Sequence, residues 1–250
     1  MRLISKGSAL HRRWRQLRRR VRQWGAPPRP LHVALRRFAE QNREVIFVQV
    51  GSNDGKTGDP IYRLGRRHRW SGILVEPVPY LVEQLRRNYA GNDRVVIENC
   101  AVAETDGMRD FWYVNRTHGM RDWYDQIGSF DREHLVKHTK YISNIESFLV
   151  KQAVPCLTLE TLIRKHSLPR VDLLHVDAEG YDHVIIRSID FRTLRPRFLF
   201  YEHVHIPSEE RRACKELLGR QGYTVFEDSW DTFALLDDSS SGSSTPEATS

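Results

Sequence analysis

At 250 residues, with 40% apolar and 10% aromatic side chains, the chain has material for one large packed domain or two small ones. No apolar run reaches the ~20 residues that a membrane-spanning helix needs, and the arginine-rich start does not read as a secretory signal. The formal charge of +7 is unevenly placed: residues 1–30 hold nine Arg, one Lys and no acid, which leaves the remainder at −3 and argues against a nucleic-acid groove.

Residues 8–24 place Leu10, Trp14, Leu17, Val21 and Trp24 at spacings of four and three, a narrow apolar stripe on a helix otherwise covered by Arg. Ser8 suits its N-cap, and Gly25 with Pro27, Pro28 and Pro30 stops it. Such a stripe fits an anionic membrane surface, an organelle-targeting presequence, or packing on a partner or on its own domain. Residues 31–43 read as a second amphipathic helix. Short apolar runs follow at 45–50, 72–76 and 94–99, with a helical stretch at 79–89. Residues 107–114 read as an extra strand or hairpin arm, and 115–150, of weak periodicity, as short helices and loops. A helix at 157–168 and strands at 171–177 and 197–203 come next, then an antiparallel pair at 222–228 and 230–237. Alternating strands and helices predict an α/β fold with a parallel sheet covered on both faces. The expected divisions are a basic arm at 1–30, a domain at 31–238 with an insert at 115–150, and a disordered polar tail at 239–250. Cys100, Cys156 and Cys214 lack metal-ligand spacing and read as reduced, mostly buried thiols.

In an open parallel sheet the ligand sits beyond the carboxyl ends of the strands, where strand order reverses. The first strand ends in Gly51-Ser52-Asn53-Asp54-Gly55, a turn lacking both the three-glycine dinucleotide spacing and a phosphate-cradling Lys-Ser/Thr. The second ends in Glu76, about 25 residues on, where an acid can accept both hydroxyls of a ribose. The third ends in Glu98-Asn99-Cys100-Ala101, small enough for a flat ring that Asn99 can read. The fourth ends in His175-Val176-Asp177-Ala178-Glu179-Gly180-Tyr181-Asp182 and the fifth in Tyr201-Glu202-His203-Val204-His205. Asp177 is the candidate for orienting an acceptor or taking its proton.

The runs VQVGSNDG (48–55), ILVEPVP (73–79), ENCAVAETDG (98–107), LTLETL (157–162) and LLHVDAEGYD (173–182) together resemble the FkbM-type methyltransferases over roughly residues 45–205. The resemblance implies a Rossmann-like class I methyltransferase domain. Its α/β sheet is doubly wound, mostly parallel and seven-stranded, with the last strand antiparallel and the insert before strand four. It implies S-adenosylmethionine as cofactor and a hydroxyl on a sugar, glycan or secondary metabolite as acceptor. Gly51, Ser52, Asn53 and Gly55 would cradle the methionine part, Glu76 the ribose, Asn99 and Ala101 the adenine, with Asp177 near the methyl group. The family usually carries an acid where this chain has Gln49; an amide there still accepts a hydrogen bond from the cofactor ammonium.

The expected general base is His203, with Asp177 as orienting partner and His205 or His175 as alternatives. No ligand spacing demands a metal ion, although Asp177, Glu202 and His203 carry donors suited to Mg²⁺. Within the insert, Trp123, Tyr124 and Phe130 are expected to stack on the acceptor, and His118, His134 and Lys137 to reach its hydroxyls or an anion. The expected partner is a small-molecule or glycan acceptor rather than a nucleic acid, in the cytoplasm or at a membrane periphery. The competing readings are a non-catalytic binding protein on the same fold and a nucleic-acid methyltransferase.

Overall fold

The computed structural model describes residues 29–115, 127–137 and 144–237. The arm helix at 8–24, the polar tail and the insert residues His118, Trp123 and Tyr124 lie outside them.

Five strands form the parallel body of the main sheet: β1 (Ile46–Val50), β2 (Ser71–Val75), β8 (Leu173–Val176) and β9 (Phe198–Glu202), with near-continuous burial, and the half-exposed edge strand β3 (Val95–Glu98). The chain returns through β10 (Tyr223–Glu227) and β11 (Asp231–Leu236), and β11 inserts antiparallel between β9 and β10. The order β10-β11-β9-β8-β1-β2-β3 bears out the expected seven-stranded, mostly parallel sheet with its last strand antiparallel. Strand order reverses between β1 and β8, which are hydrogen-bonded neighbours.

Alternation along the strands divides the core into two layers. Phe47 and Leu173 meet Leu31, Leu35 and Phe38 of α1 (Pro30–Gln41) on one face. Val48, Val50, Leu174 and Val176 meet Leu159 and Leu162 of α5 (Leu159–Lys165) and Cys214 and Leu218 of α7 (Ser208–Arg220) on the other. Each such leucine contributes about 1.5–3 kcal/mol by leaving water. The three cysteines are unbridged and buried. Arg29 docks on the domain through Asp228 at 2.5 Å and Asp231 at 2.6 Å, beside the start of α1. Among the described residues no helix is long and apolar enough to cross a membrane.

A second sheet, in the order β4-β7-β5-β6, stands at the carboxyl side of β3. The expected arm at 107–114 is β5 (Gly107–Val114), and its partner is β7 (Leu149–Leu157), in register from Gly107–Cys156 to Val114–Leu149. β4 (Ala101–Val102) and β6 (Gly128–Ser129) flank them. The reading of 115–150 as short helices and loops therefore needs correcting in two places, at β6 within it and at its end, where β7 begins at Leu149. The signal was the alternation of exposed Lys151, Ala153 and Pro155 with more buried Gln152, Val154 and Cys156. The insert's one α-helix among the described residues is α4 (Arg132–Val136).

Candidate functional site

The turn after β1 is fixed by its backbone. Gly51 and Ser52 both donate their N–H to the Val75 carbonyl, and the Ser52 hydroxyl donates to the Gln49 carbonyl at 3.0 Å. Gly51 has φ 73°, and a Cβ there would lie 1.7 Å from the Asp177 carbonyl oxygen, so only glycine lets the turn pass beneath the β8 loop. Gly55 has φ 66°, and a Cβ there would run into Leu85 and Tyr89.

Glu76, at the end of β2, is buried with both carboxylate oxygens anchored. Asn53 N–H donates to Oε2 at 2.8 Å and Val78 N–H to Oε1 at 3.0 Å. Burial raises its pKa to about 7, against the pull of those two backbone donors. Asn99 spends its side-chain N–H groups on the Glu76 and Pro77 carbonyls and so fixes the loop that carries Glu76.

Gln49 is buried and donates to Asp59 Oδ2 at 2.9 Å, while Oδ1 of the same carboxylate accepts from the N–H groups of Ile61 and Tyr62. Burial pushes Asp59 above the usual carboxylate range. An acid therefore does stand against Gln49, but it is Asp59, ten residues on and away from the cleft lining. Sequence reading passed over it because a lone Asp before a proline in a polar loop gives no signal.

The loop after β8 is strained. Glu179 and Gly180 are consecutive left-handed residues, at φ 49° and 92°. Asp182 holds the loop from within, its Oδ2 accepting from Ala178 N–H and Gly180 N–H, each at 3.2 Å. Burial lifts Asp182 to about 7. Asp177 is also held well above the usual range, by burial first and then by the charges of Glu202, Glu179 and Asp182. Glu202 is raised by burial and the same neighbours.

These strand ends and the second sheet line a shared cleft. Gly51, Asn53, Glu76, Ala101 and Asp177 line it, together with Cys100, Phe111, Phe130, Glu179 and Tyr181. The second sheet's contribution is an aromatic wall. Phe130 meets Phe111 and Tyr181 edge-on at 5.3 and 4.9 Å, and Arg109 backs it, 4.2 Å from the Phe130 centroid and bonded to the Tyr181 hydroxyl at 2.8 Å. Of the expected cofactor residues, Gln49, Ser52, Gly55 and Asn99 stand behind this lining.

The expected base is not brought to the cleft. His203 is 3% exposed, its Nδ1 lies 2.9 Å from the Thr232 hydroxyl, and burial lowers its pKa. The base expectation is corrected accordingly: β11 covers the His203 ring. His175 is a core residue, stacked on Phe200 at 4.1 Å and pushed down to about 3 by burial. His205 instead stands near the β8 loop, with Nε2 3.8 Å from Glu179 Oε2 and 3.6 Å from Glu202 Oε2.

The model of the methyltransferase FkbM domain matches residues 49–228. The chain belongs to the FkbM methyltransferase family. The match spans the turn, Glu76, the whole second sheet and the β8 and β9 loops, so every residue lining the cleft falls inside the methyltransferase domain. No curated protein sequence matches the chain. Among solved structures, the FkbM methyltransferase of Methylobacillus flagellatus KT aligns with a TM-score of 0.47 at 12% identity, over 77% of this chain and 44% of that one. This chain therefore spans less than half of that protein's length. Aeropyrum pernix fibrillarin, in complex with natively bound S-adenosyl-L-methionine, aligns with a TM-score of 0.41 at 12% identity, over 78% of this chain and 67% of that one. The METTL16 methyltransferase domain gives 0.45 at 13%, over 85% and 70%.

Proposed function

We propose that the cleft binds S-adenosylmethionine and that the protein transfers its methyl group to a hydroxyl of a sugar, glycan or secondary metabolite. The observation that carries this is the charge of the lining: Glu76, Asp177 and Glu179 are acids, and no Lys or Arg stands among the described residues that line the cleft. A nucleotide polyphosphate would be repelled there, whereas a ligand with a sulfonium, an ammonium and a neutral nucleoside is matched.

When bound, the cofactor supplies a methyl group already activated by the sulfonium. The chain supplies position and proton acceptance. Glu76 as carboxylate accepts the ribose hydroxyls, and the small Cys100 and Ala101 leave room for a flat base. The aromatic wall of Phe111, Phe130 and Tyr181 offers a stacking face for an acceptor ring. Asp177 accepts the acceptor's proton. Its raised pKa suits that role, because a carboxylate that binds protons more tightly than usual is a stronger base once ionised. Alignment of the acceptor oxygen contributes about 7 kcal/mol or more, and the base about 10²–10⁴-fold.

The test is product identity. The full chain is incubated with isotopically methyl-labelled cofactor and a panel of mono- and oligosaccharides, polyols and RNA, and products are read by mass spectrometry. A methyl ether on a hydroxyl acceptor is the expected result. Label confined to RNA bases would overturn the acceptor class.

A further inference from the structure

We propose that His134, Glu179 and His205, with Glu202 beside them, form a binding site for a divalent first-row transition-metal cation at the acceptor side of the cleft. The residues come from three separate places: α4 of the insert, the strained loop after β8 and the loop after β9. One ligand atom from each of His134, Glu179 and His205 lies within 4.8 Å of the others. His134 Nε2 and His205 Nε2 converge on the same oxygen, Glu179 Oε2, at 3.6 and 3.8 Å, and Glu202 Oε2 stands 3.6 Å from His205 Nε2.

Those separations are too long for direct hydrogen bonds. They lie slightly above the spacing of neighbouring donors around a tetrahedral ion, roughly 3.4 Å for bonds of about 2.1 Å, so small side-chain shifts close the set on an ion. Elsewhere in the fold an imidazole closes directly onto a carboxylate, as His166 does on Glu98 at 2.5 Å, with Lys165 on the other oxygen. At Glu179 the donors converge yet stay apart. The two imidazoles are perpendicular, with centroids 4.8 Å apart, and a Cβ added at Gly180 would meet both His134 and His205 at 3.5 Å. Two imidazole nitrogens with one or two carboxylates are a donor set for Zn²⁺, Co²⁺, Mn²⁺ or Fe²⁺ rather than for Mg²⁺ or Ca²⁺.

Side-chain exposures of 12%, 23% and 31% for His134, Glu179 and His205 leave an entry path. Glu179 also lines the cleft, so an ion held there has the acceptor side within reach, where an acceptor oxygen can complete its coordination. That last role rests on the methyltransferase reading; metal binding itself does not.

The full chain is stripped with chelator and titrated with Co²⁺ and Zn²⁺, read by calorimetry and by the visible d–d absorption of bound Co²⁺. The expected result is one ion per chain at a dissociation constant below about 10 µM, weakened at least about 100-fold in His134→Ala and in His205→Gln. Far-UV circular dichroism and thermal melts, measured in parallel, match wild type in both variants and show that they are folded. Wild-type binding weaker than about 100 µM, or equal binding by wild type and both folded variants, would overturn the proposal. A metal-binding chain that fails to bind the cofactor would leave the metal site standing and sink only the methyltransferase reading.

Discussion

The two sides of the cleft are built differently. On the β1–β3 side the polar groups are tied down by nearby backbone: Glu76 by Asn53 and Val78, Ser52 by Gln49, Asn99 by Glu76 and Pro77. On the β8–β9 side Asp177, Glu179 and Glu202 crowd together, facing one another and two histidines. A side closed on its own backbone is suited to holding one invariant ligand in one pose. A side whose charges oppose each other stores electrostatic work that an incoming proton or cation relieves, which is what a reacting side requires. On the function proposed above, the first side holds the cofactor and the second carries the chemistry.

The sharpest way to break this division is Asp177→Asn. Turnover is expected to fall about 10²–10⁴-fold while cofactor affinity moves little. Equal losses in both would merge the two sides into one. Gly51→Ala probes their contact, since its Cβ would meet the Asp177 carbonyl oxygen at 1.7 Å in a left-handed backbone. Denaturant titration should show a loss of about 3 kcal/mol or more, the range of strained and overpacked sites. A loss below about 1 kcal/mol would mean that the turn relaxes freely and does not lock the sides together.

Burial gives a subtler handle on the cofactor side. In the folded chain Glu76 keeps its proton to about 7, against an ordinary 4.5. Its contribution favours the fold fully below its unfolded value and is lost as pH rises through its folded one. That difference amounts to about 3 kcal/mol of stability without cofactor, and thermal melts of Glu76→Gln should lack it. The smallest effect is expected at His203. His203→Ala should cost about 1–2 kcal/mol through the Thr232 contact and leave turnover within about threefold. Lost turnover with intact cofactor affinity would return the base to His203.

The cofactor side was legible in the sequence because its parts are local. A glycine turn after an apolar strand, and an acid at the end of the next, lie where strand periodicity puts them. The parallel sheet followed from the alternation of strands and helices, and its seven strands from the family resemblance. The reacting side was legible only in fragments. Asp177 stood out at a strand end, but His134, Glu179 and His205 are separated by 45 and 26 residues, and only the packing of α4 against the β8 and β9 loops joins them. His203 misled because alternation says which face a strand residue takes and not whether another strand will cover it; β11 does so through Thr232. Asp59 escaped notice for the same reason, its partner Gln49 being a neighbour in space through the turn.

Calorimetric titration of S-adenosylmethionine into wild type and Glu76→Gln across pH 5.5–8.5 tests the cofactor cleft most directly. The cofactor needs the ionised carboxylate, so wild-type affinity should rise about tenfold per pH unit toward a plateau above about 7. Glu76→Gln should bind at least about tenfold more weakly at the plateau, with no such rise. No measurable wild-type binding, or the same affinity and pH profile in the variant, would contradict the account.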